Sequence, residues 1–355
     1  MDLEKLGWSG FFEGPFEIYR DAGFIPARIT SRQANLYTAL SEFGELKGKM
    51  TGRMRHECAQ NLDYPTVGDW VAAKGNPDTG NMQIRAVMPR KSKLIRADYN
   101  KGGYLGDQII SANVDILFIV MGLDIELNRN KLLRYIAQAK ASVPEVVVIL
   151  NKIDICEELE QEETAAKEVS KEIPVLLTSC ETGEGIDKIR NYLAVGKTGS
   201  LIGPSGVGKS TLINSLLEED MLATGHVREG DSKGRHTTTW RELVLLPGQG
   251  MLIDNPGMRS FGITGDESIV ANEFEDIEQL RMQCKFSDCQ HITEPGCAIN
   301  AAIDRGELTV ERYNNYVRLQ RELAIISVAK SQRSRIRQEF AAAKRRQKRF
   351  EEKGI

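Results

Sequence analysis

Gly203-Pro204-Ser205-Gly206-Val207-Gly208-Lys209-Ser210, continued by Thr211-Leu212-Ile213-Asn214-Ser215-Leu216-Leu217, is the stretch on which the reading of this chain turns. It has the form G-x-x-x-x-G-K-S. An apolar run of strand character at 198–202 precedes it, and apolar residues at helical spacing come after it. Strand, glycine-rich loop and helix in that order make a phosphate-binding loop. The glycines let backbone N–H groups turn inward around a phosphate without side-chain clash. The helix N-terminus adds the positive end of its dipole. Lys209 is expected to reach the outer phosphates and the Ser210 hydroxyl to bind magnesium. Residues 203–210 together with Thr211 are the expected nucleotide-binding set.

On both sides of this loop, strands and helices alternate. Residues 115–121 are a near-continuous apolar strand, as in a parallel sheet covered on both faces. Residues 129–141 read as a helix, 145–150 as a second buried strand and 157–172 as an acidic helix. A third strand at 174–178 and a helix at 186–193 lead to the loop. Beyond it, 239–246 and 251–254 give two more strands. This pattern predicts a doubly wound α/β domain over roughly residues 107–265.

Four further motifs fall at strand ends. Asn151-Lys152-Ile153-Asp154 is N-K-x-D. Asp154 can accept from guanine N1–H and the exocyclic amine together, donors that adenine does not offer there, and Lys152 can cover the base with its alkyl stem. Thr178-Ser179-Cys180 has the place of a backbone contact to guanine O6, through Ser179 and Cys180. Asp254-Asn255-Pro256-Gly257 is D-x-P-G, in which Asp254 can hold magnesium through water and the Gly257 N–H can touch a γ-phosphate. Gly234-Arg235-His236-Thr237-Thr238-Thr239 lies between loop and strand. A threonine there, Thr238 before Thr237, can complete the magnesium shell.

The order of these motifs is unusual. GTPases run phosphate loop, switch threonine, D-x-x-G, N-K-x-D and then the guanine-contact loop. Here the last two come first. The same sheet can be built if old termini are joined and new ones opened elsewhere. The D-x-P-G segment then leads out of the domain, so nucleotide state is expected to reach residues 265–330. After Gly257 stands Met258, which cannot orient an attacking water. His236 is the nearest polar candidate for that task, so slow hydrolysis is expected unless a partner orders its loop.

Ahead of this domain, short alternating segments at 27–30, 35–40, 45–51, 69–73 and 82–88 are separated by turn signals. They predict a small Greek-key barrel of the oligonucleotide-binding type over residues 25–100. Residues 1–24, aromatic and glycine-bearing, are expected to pack on the segment after them. Beyond the nucleotide domain, Cys284, Cys289, His291 and Cys297 offer three thiolates and an imidazole within a short span. That set suits one structural, tetrahedral zinc ion per chain, in a domain over 266–330. Residues 307–329 and the run to Phe350 look helical, with a basic helix or tail over 331–355. From Lys330 to Ile355 there are ten Lys/Arg against three Glu, while the whole chain has a net charge of −3. Such a tail fits either RNA phosphates or a solvated surface.

Bulk composition narrows the classes. With 355 residues and 41% apolar content, several packed domains are expected. No segment is long and apolar enough for a membrane span, and no basic-then-apolar leader opens the chain, so a cytoplasmic protein without membrane partners is expected. Six cysteines, three of them isolated, do not make a disulfide scaffold.

These motifs, in this order, closely resemble the circularly permuted bacterial GTPase family RsgA, also called YjeQ or YloQ. The resemblance rests on residues 151–154, 203–210, 234–239, 254–257 and the Cys284/Cys289/His291/Cys297 set, and it covers most of the chain. It implies an oligonucleotide-binding barrel, a permuted GTPase domain and a zinc domain. It also implies GTP hydrolysis to GDP with magnesium, late maturation of the small ribosomal subunit, contact with its rRNA, and stimulation by the subunit coupled to release. A monomer is expected. The alternative is a GTP-switched module for another RNA or protein, with incidental turnover. Residues 1–24 inherit no function from the family, and Cys180 replaces a common alanine.

Overall fold

A computed structural model describes residues 1–58, 63–100, 103–224, 241–255, 271 and 273–352, with backbone alone at 57, 97–100, 103–105, 218–224, 330 and 333–352. The chain forms two compact units, residues 1–96 with 107–262, and residues 97–106 with 263–355.

In the first unit, β1 (Ile25–Gln33), β2 (Leu36–Ser41), β3 (Gly44–Met50), β4 (Trp70–Asn76) and β5 (Asn81–Val87) close a barrel in the order β1-β2-β3-β5-β4-β1. Only the β3–β5 pairing is parallel. This is the closed five-stranded form of the oligonucleotide-binding barrel. Its interior is filled by alternate residues, among them Ile29, Tyr37, Leu46, Val71 and Ile84. A short helix, α1 (Gly10–Arg20), precedes it and buries Phe12 and Phe16. Trp8 stands edge-on to Trp70 at 4.8 Å between centroids. Residues 1–24 therefore pack into the core rather than trailing from it. The helix α2 (Gly52–Glu57) is capped by the Thr51 side chain, which accepts from the Met54 N–H.

The structure differs from the sequence expectation at the next step. β6 (Lys93–Asn100) and β7 (Gly103–Ala112) pair as a separate two-stranded sheet. Residue 107, where the nucleotide-binding domain is expected to start, lies within β7. The α/β alternation begins later, at β8.

β8 (Ile116–Gly122), β9 (Glu145–Asn151), β10 (Val175–Thr178), β11 (Thr198–Ile202), β12 (Glu242–Leu245) and β13 (Met251–Asp254) form one sheet in the order β10-β9-β8-β11-β13-β12. All are parallel except β12. The intervening helices are α3 (Arg129–Lys140), α4 (Leu159–Ser170), α5 (Ile186–Arg190) and α6 (Lys209–Thr224). Every residue of β8 is buried. Leu117, Ile119 and Met121 face one cluster with Leu132, Ile136 and Ala166, and Ile116, Phe118 and Val120 face another with Ile189, Leu212 and Leu216. That explains the unbroken apolar run. Because the strands are parallel, Gly122, Asn151, Thr178, Ile202 and Asp254 all end at one edge. The chain runs outward from β8 to β10 and returns to the other side of β8 as β11. The switch point, where such sheets bind ligands, lies between β8 and β11.

Barrel and sheet are joined. β1 pairs with β12 through Ser31 and Glu242. Beneath that seam lies Arg28, only 2% exposed. It donates to the Leu6 carbonyl, to the Asn113 carbonyl at 3.2 Å and to the Thr198 Oγ1 at 2.8 Å. Burial lowers its guanidinium to about 10, still charged at neutral pH, with Asp115 and Asp69 opposing the shift. A charge this buried is tolerated only because its N–H groups are satisfied. Arg28→Ala strands two carbonyls and a hydroxyl and opens a void at the meeting point of the N-terminal segment, barrel and sheet. A loss of about 3–4 kcal/mol is expected in urea denaturation; a loss under about 1 kcal/mol would show that Arg28 does not hold these parts together.

The second unit contains α7 (Glu275–Met282), α8 (Ala298–Asp304) and α9 (Val310–Glu352). Arg312 on α9 forks onto Asp276 at 2.7 and 2.8 Å, and the Tyr316 hydroxyl donates to Glu278 at 2.7 Å. Phe274 meets Tyr316 edge-on at 5.7 Å. Among the described residues no helix is long and apolar enough to cross a membrane.

Candidate functional site

The glycine-rich loop leaves β11 at Ile202 and enters α6 at Lys209. Gly203 has φ +149°, and a Cβ there would lie 2.1 Å from the Val120 carbonyl oxygen. Gly208 has φ +96°, and its Cβ would lie 2.4 Å from the Asn151 amide nitrogen. Both positions are thus closed to any side chain by backbone conformation and by close approach. Lys209 Nζ donates to the carbonyls of Gly203 and Pro204 at 3.0 and 2.6 Å. Burial lowers its pKa while the Asp254 carboxylate opposes that shift. Ser205, Gly206, Ser210 and Thr211 are exposed, and Val207 is buried.

Asn151, 2% exposed, ties three elements together. Its Nδ2 donates to the Val207 carbonyl at 2.9 Å, and its Oδ1 accepts from Thr178 Oγ1 at 3.0 Å. Cys180 Sγ lies 3.7 Å from the same oxygen. The N-K-x-D segment is therefore bonded directly to the phosphate loop, across 56 residues of sequence. Lys152 adopts left-handed backbone at φ +69°. Its Nζ pairs with Asp124 at 2.9 Å, and this hydrogen bond lowers the Asp124 pKa. Ser179 Oγ donates to Asp154 Oδ1 at 2.5 Å and accepts from the Thr182 N–H at 3.2 Å. A donor already fixed on one carboxylate oxygen sets the orientation of Asp154.

Asp254 is 5% exposed and ends β13. The next residue, Asn255, is fully buried and donates to Ser200 Oγ at 2.7 Å, fixing the start of D-x-P-G to the strand that carries the phosphate loop. His236, Thr237 and Thr238 lie outside the described residues, as do Pro256, Gly257 and Met258. Asp124 and Ser200 are not singled out by the sequence. Both are ordinary residue types whose only signal is position, one just after β8 and one within β11.

In the second unit, Cys284, Cys289, His291 and Cys297 place their ligand atoms within 4.8 Å of one another. Cys284 Sγ is 3.6 Å and Cys297 Sγ 3.4 Å from His291 Nδ1. A tetrahedral ion with the usual zinc bond lengths sets sulfur and nitrogen about 3.6 Å apart. His291 takes left-handed backbone, φ +59°. Cys297 begins α8 and accepts from the Asn300 N–H at 3.5 Å. The donor set and spacing fit a closed, four-ligand metal site. Cys58, Cys156 and Cys180 lie apart from this cluster and form no disulfide.

The RsgA GTPase family model matches residues 87–264. A second model, described as a 50S ribosome-binding GTPase, matches residues 198–340. It starts on β11 and leaves N-K-x-D upstream, as a rearranged motif order requires. The small ribosomal subunit biogenesis GTPase RsgA of Opitutus terrae is 40% identical over 333 residues, covering 91% of this chain and 90% of that one. Its namesake from Syntrophotalea carbinolica is 38% identical over 330 residues, with 91% and 90% covered. Among solved structures, YjeQ from Thermotoga maritima superposes with a TM-score of 0.60 at 28% identity, covering 85% of this chain and 99% of that one. YloQ, described as a circularly permuted GTPase, shares the fold at a TM-score of 0.56 and 23% identity, with 86% and 96% covered. With its N-K-x-D segment ahead of the phosphate loop in sequence and bonded to it in space, the chain belongs to the RsgA family of circularly permuted GTPases and is a GTP-hydrolysing enzyme.

Proposed function

We propose that this GTPase acts in late maturation of the small ribosomal subunit, that the subunit stimulates its hydrolysis, and that hydrolysis is coupled to release. What carries the reading is the Asn151–Val207 bond, which brings a guanine-selecting segment and a phosphate loop into one site in a chain 40% identical to a named small-subunit biogenesis GTPase. Contact with rRNA, a monomeric state and a cytoplasmic location belong to the same proposal.

In this reading residues 203–210 and Thr211 cradle the phosphates with backbone N–H groups. Lys209 gives up its contacts to the Gly203 and Pro204 carbonyls and moves its ammonium onto the outer phosphates. Asp154 accepts from the guanine edge, Lys152 covers the base, and the Ser179 and Cys180 backbone meets O6. Ser210, Thr238 and, through water, Asp254 hold magnesium, with Thr237 the alternative ligand. Bound there, magnesium would supply positive charge to the phosphate oxygens. The Gly257 N–H touches the γ-phosphate, and His236 orients the attacking water. Cys284, Cys289, His291 and Cys297 hold one structural zinc ion, and the domains divide at 25–100, 107–265, 266–330 and 331–355, after a leading segment 1–24.

Adding purified small subunits to a GTPase assay tests the proposal. A rise of at least about tenfold in turnover is expected, and no rise from a protein that binds GDP and metal normally would overturn it. His236→Ala is expected to remove most of the stimulated rate, about 10²-fold for the lost positioning of the attacking water, while GDP affinity stays near that of the parent. Unchanged stimulated turnover would remove His236 from the mechanism.

A further inference from the structure

Two arginines face each other at the seam between barrel and nucleotide-binding sheet, and a third, on β6, is near enough for its charge to act on one of them. The antiparallel pair Ser31–Glu242 places the next residues, Arg32 and Arg241, opposite each other. Like charges directly opposite destabilise a strand pair. Arg96, on β6, is the third: its charge and that of Arg32 act on Arg241, with no carboxylate among the described residues opposing them. Together with burial they lower the Arg241 guanidinium to about 10. Arg241 has no hydrogen-bond partner among the described residues.

Arg32 is held in place. Its guanidinium lies over two rings, Tyr37 at 5.5 Å and Tyr64 at 5.6 Å. Its Nε donates to the Ala34 carbonyl at 3.2 Å and one terminal nitrogen to the Pro65 carbonyl at 3.3 Å. Of its five N–H groups, the other three are not taken by these contacts. Arg96 is anchored through one terminal nitrogen to Gln108 at 3.5 Å. A rigid fork next to one that no described carboxylate compensates is the arrangement that grips phosphate oxygens.

We propose that Arg32, Arg96 and Arg241 form an RNA-binding site that takes successive backbone phosphates of one strand across the barrel–sheet seam. The proposal rests on the small-subunit reading above for the source of the RNA. A strand supplies one charge per nucleotide, so several phosphates neutralise three cations where a single carboxylate does not. Neutralisation removes the Arg32–Arg241 repulsion and tightens β1 on β12. β12 in turn pairs with β13, which ends in Asp254. An RNA strand bound at the seam therefore firms the strand pair leading to the magnesium side of the nucleotide site. Among the described residues of that site, none is bonded to any of the three arginines.

Arg32→Gln, Arg96→Gln and Arg241→Gln in the full chain, with GDP binding as the folding control, test this. Affinity for purified small subunits and for a 12-nucleotide oligouridylate is measured from low to moderate salt. Each variant is expected to bind both probes about tenfold more weakly and to reduce the slope of log K against log salt by about one, the signature of one lost phosphate contact. Basal GTP hydrolysis should be unchanged. Parental affinity and slope in all three variants, on both probes, overturns the site. If the parent ignores small subunits but the oligouridylate result holds, the small-subunit reading fails and the RNA site stands. If inorganic phosphate at constant ionic strength raises the melting temperature of the parent but not of Arg241→Gln, and the variants bind RNA normally, the site takes a free anion and the RNA proposal fails. Arg241→Lys, which keeps charge but loses the fork, should fall between parent and Arg241→Gln.

Discussion

Asp154→Asn is expected to weaken GDP binding by about 10²–10³-fold and to shift the preference toward xanthosine nucleotides. The carboxylate offers two acceptor oxygens, one oriented by Ser179 Oγ at 2.5 Å. Guanine presents two donors on its matching edge, N1–H and the exocyclic amine. An amide keeps one acceptor and turns its NH₂ toward a donor, leaving one buried N–H unpaired against another. The loss of a charge-assisted pair with that mismatch costs about 3–4 kcal/mol, which is the stated fold-change. Xanthine carries a carbonyl where guanine has the amine, so the NH₂ regains a partner. Ser179 still has an oxygen to donate to, and the Lys152–Asp124 pair is untouched. The fold therefore survives the change. Competition of GDP and XDP against a fluorescent GDP analogue measures both affinities. A variant that binds GDP like the parent and ignores XDP would show that Asp154 does not read the base.

Much of this site is legible in the sequence because its parts are local. The loop 203–210 works by backbone conformation over eight residues, and its glycines have no substitute at Val120 and Asn151 contact distances. β8 stands out because both of its faces are covered, so no polar residue interrupts it. Barrel strands β2, β3 and β5 alternate because one face of each is more exposed, whereas β1 and β4 carry continuous buried runs. What stays hidden is long-range or conformationally ambiguous. The pair β6–β7 escapes sequence reasoning because Lys93-Leu94-Ile95-Arg96-Ala97-Asp98 alternates only in part, and no turn type is fixed by the residues after it. Arg28 reads as one more charge in a polar barrel. Its role depends on Leu6, Asn113 and Thr198, 22 to 170 residues away in sequence. The opposition of Arg32 and Arg241 exists only because barrel and sheet share a ladder. Residue types that can serve anywhere acquire their function from topology, and topology is what periodicity does not carry.

The metal site bears the second large effect. Removing its ion with a strong chelator, or changing Cys289 or His291 to Ala, is expected to unfold the region between α7 and α9 while GDP binding persists. The region has few fully buried apolar side chains to replace a lost ion, with Phe274, Ile277, Ile299 and Ala302 the most enclosed. Such a core yields only a few kcal/mol. A structural zinc ion bound by thiolates and imidazole contributes about 10 kcal/mol or more at neutral pH, which exceeds that margin. The ligands come from a short, turn-rich segment in which His291 takes left-handed backbone at φ +59°, a conformation uncommon outside glycine though more often adopted by histidine than by most residues. The parent should carry one zinc per chain by atomic emission, and His291→Ala should carry less than about a tenth of that and lose helical circular dichroism. His291→Cys distinguishes a ligand from a packing residue, because a fourth thiolate also completes a tetrahedron. It is expected to restore both zinc content and helicity, whereas a packing role predicts that Cys fails as Ala does. Full helicity in a zinc-free His291→Ala protein would mean that the four side chains cluster without supporting the fold.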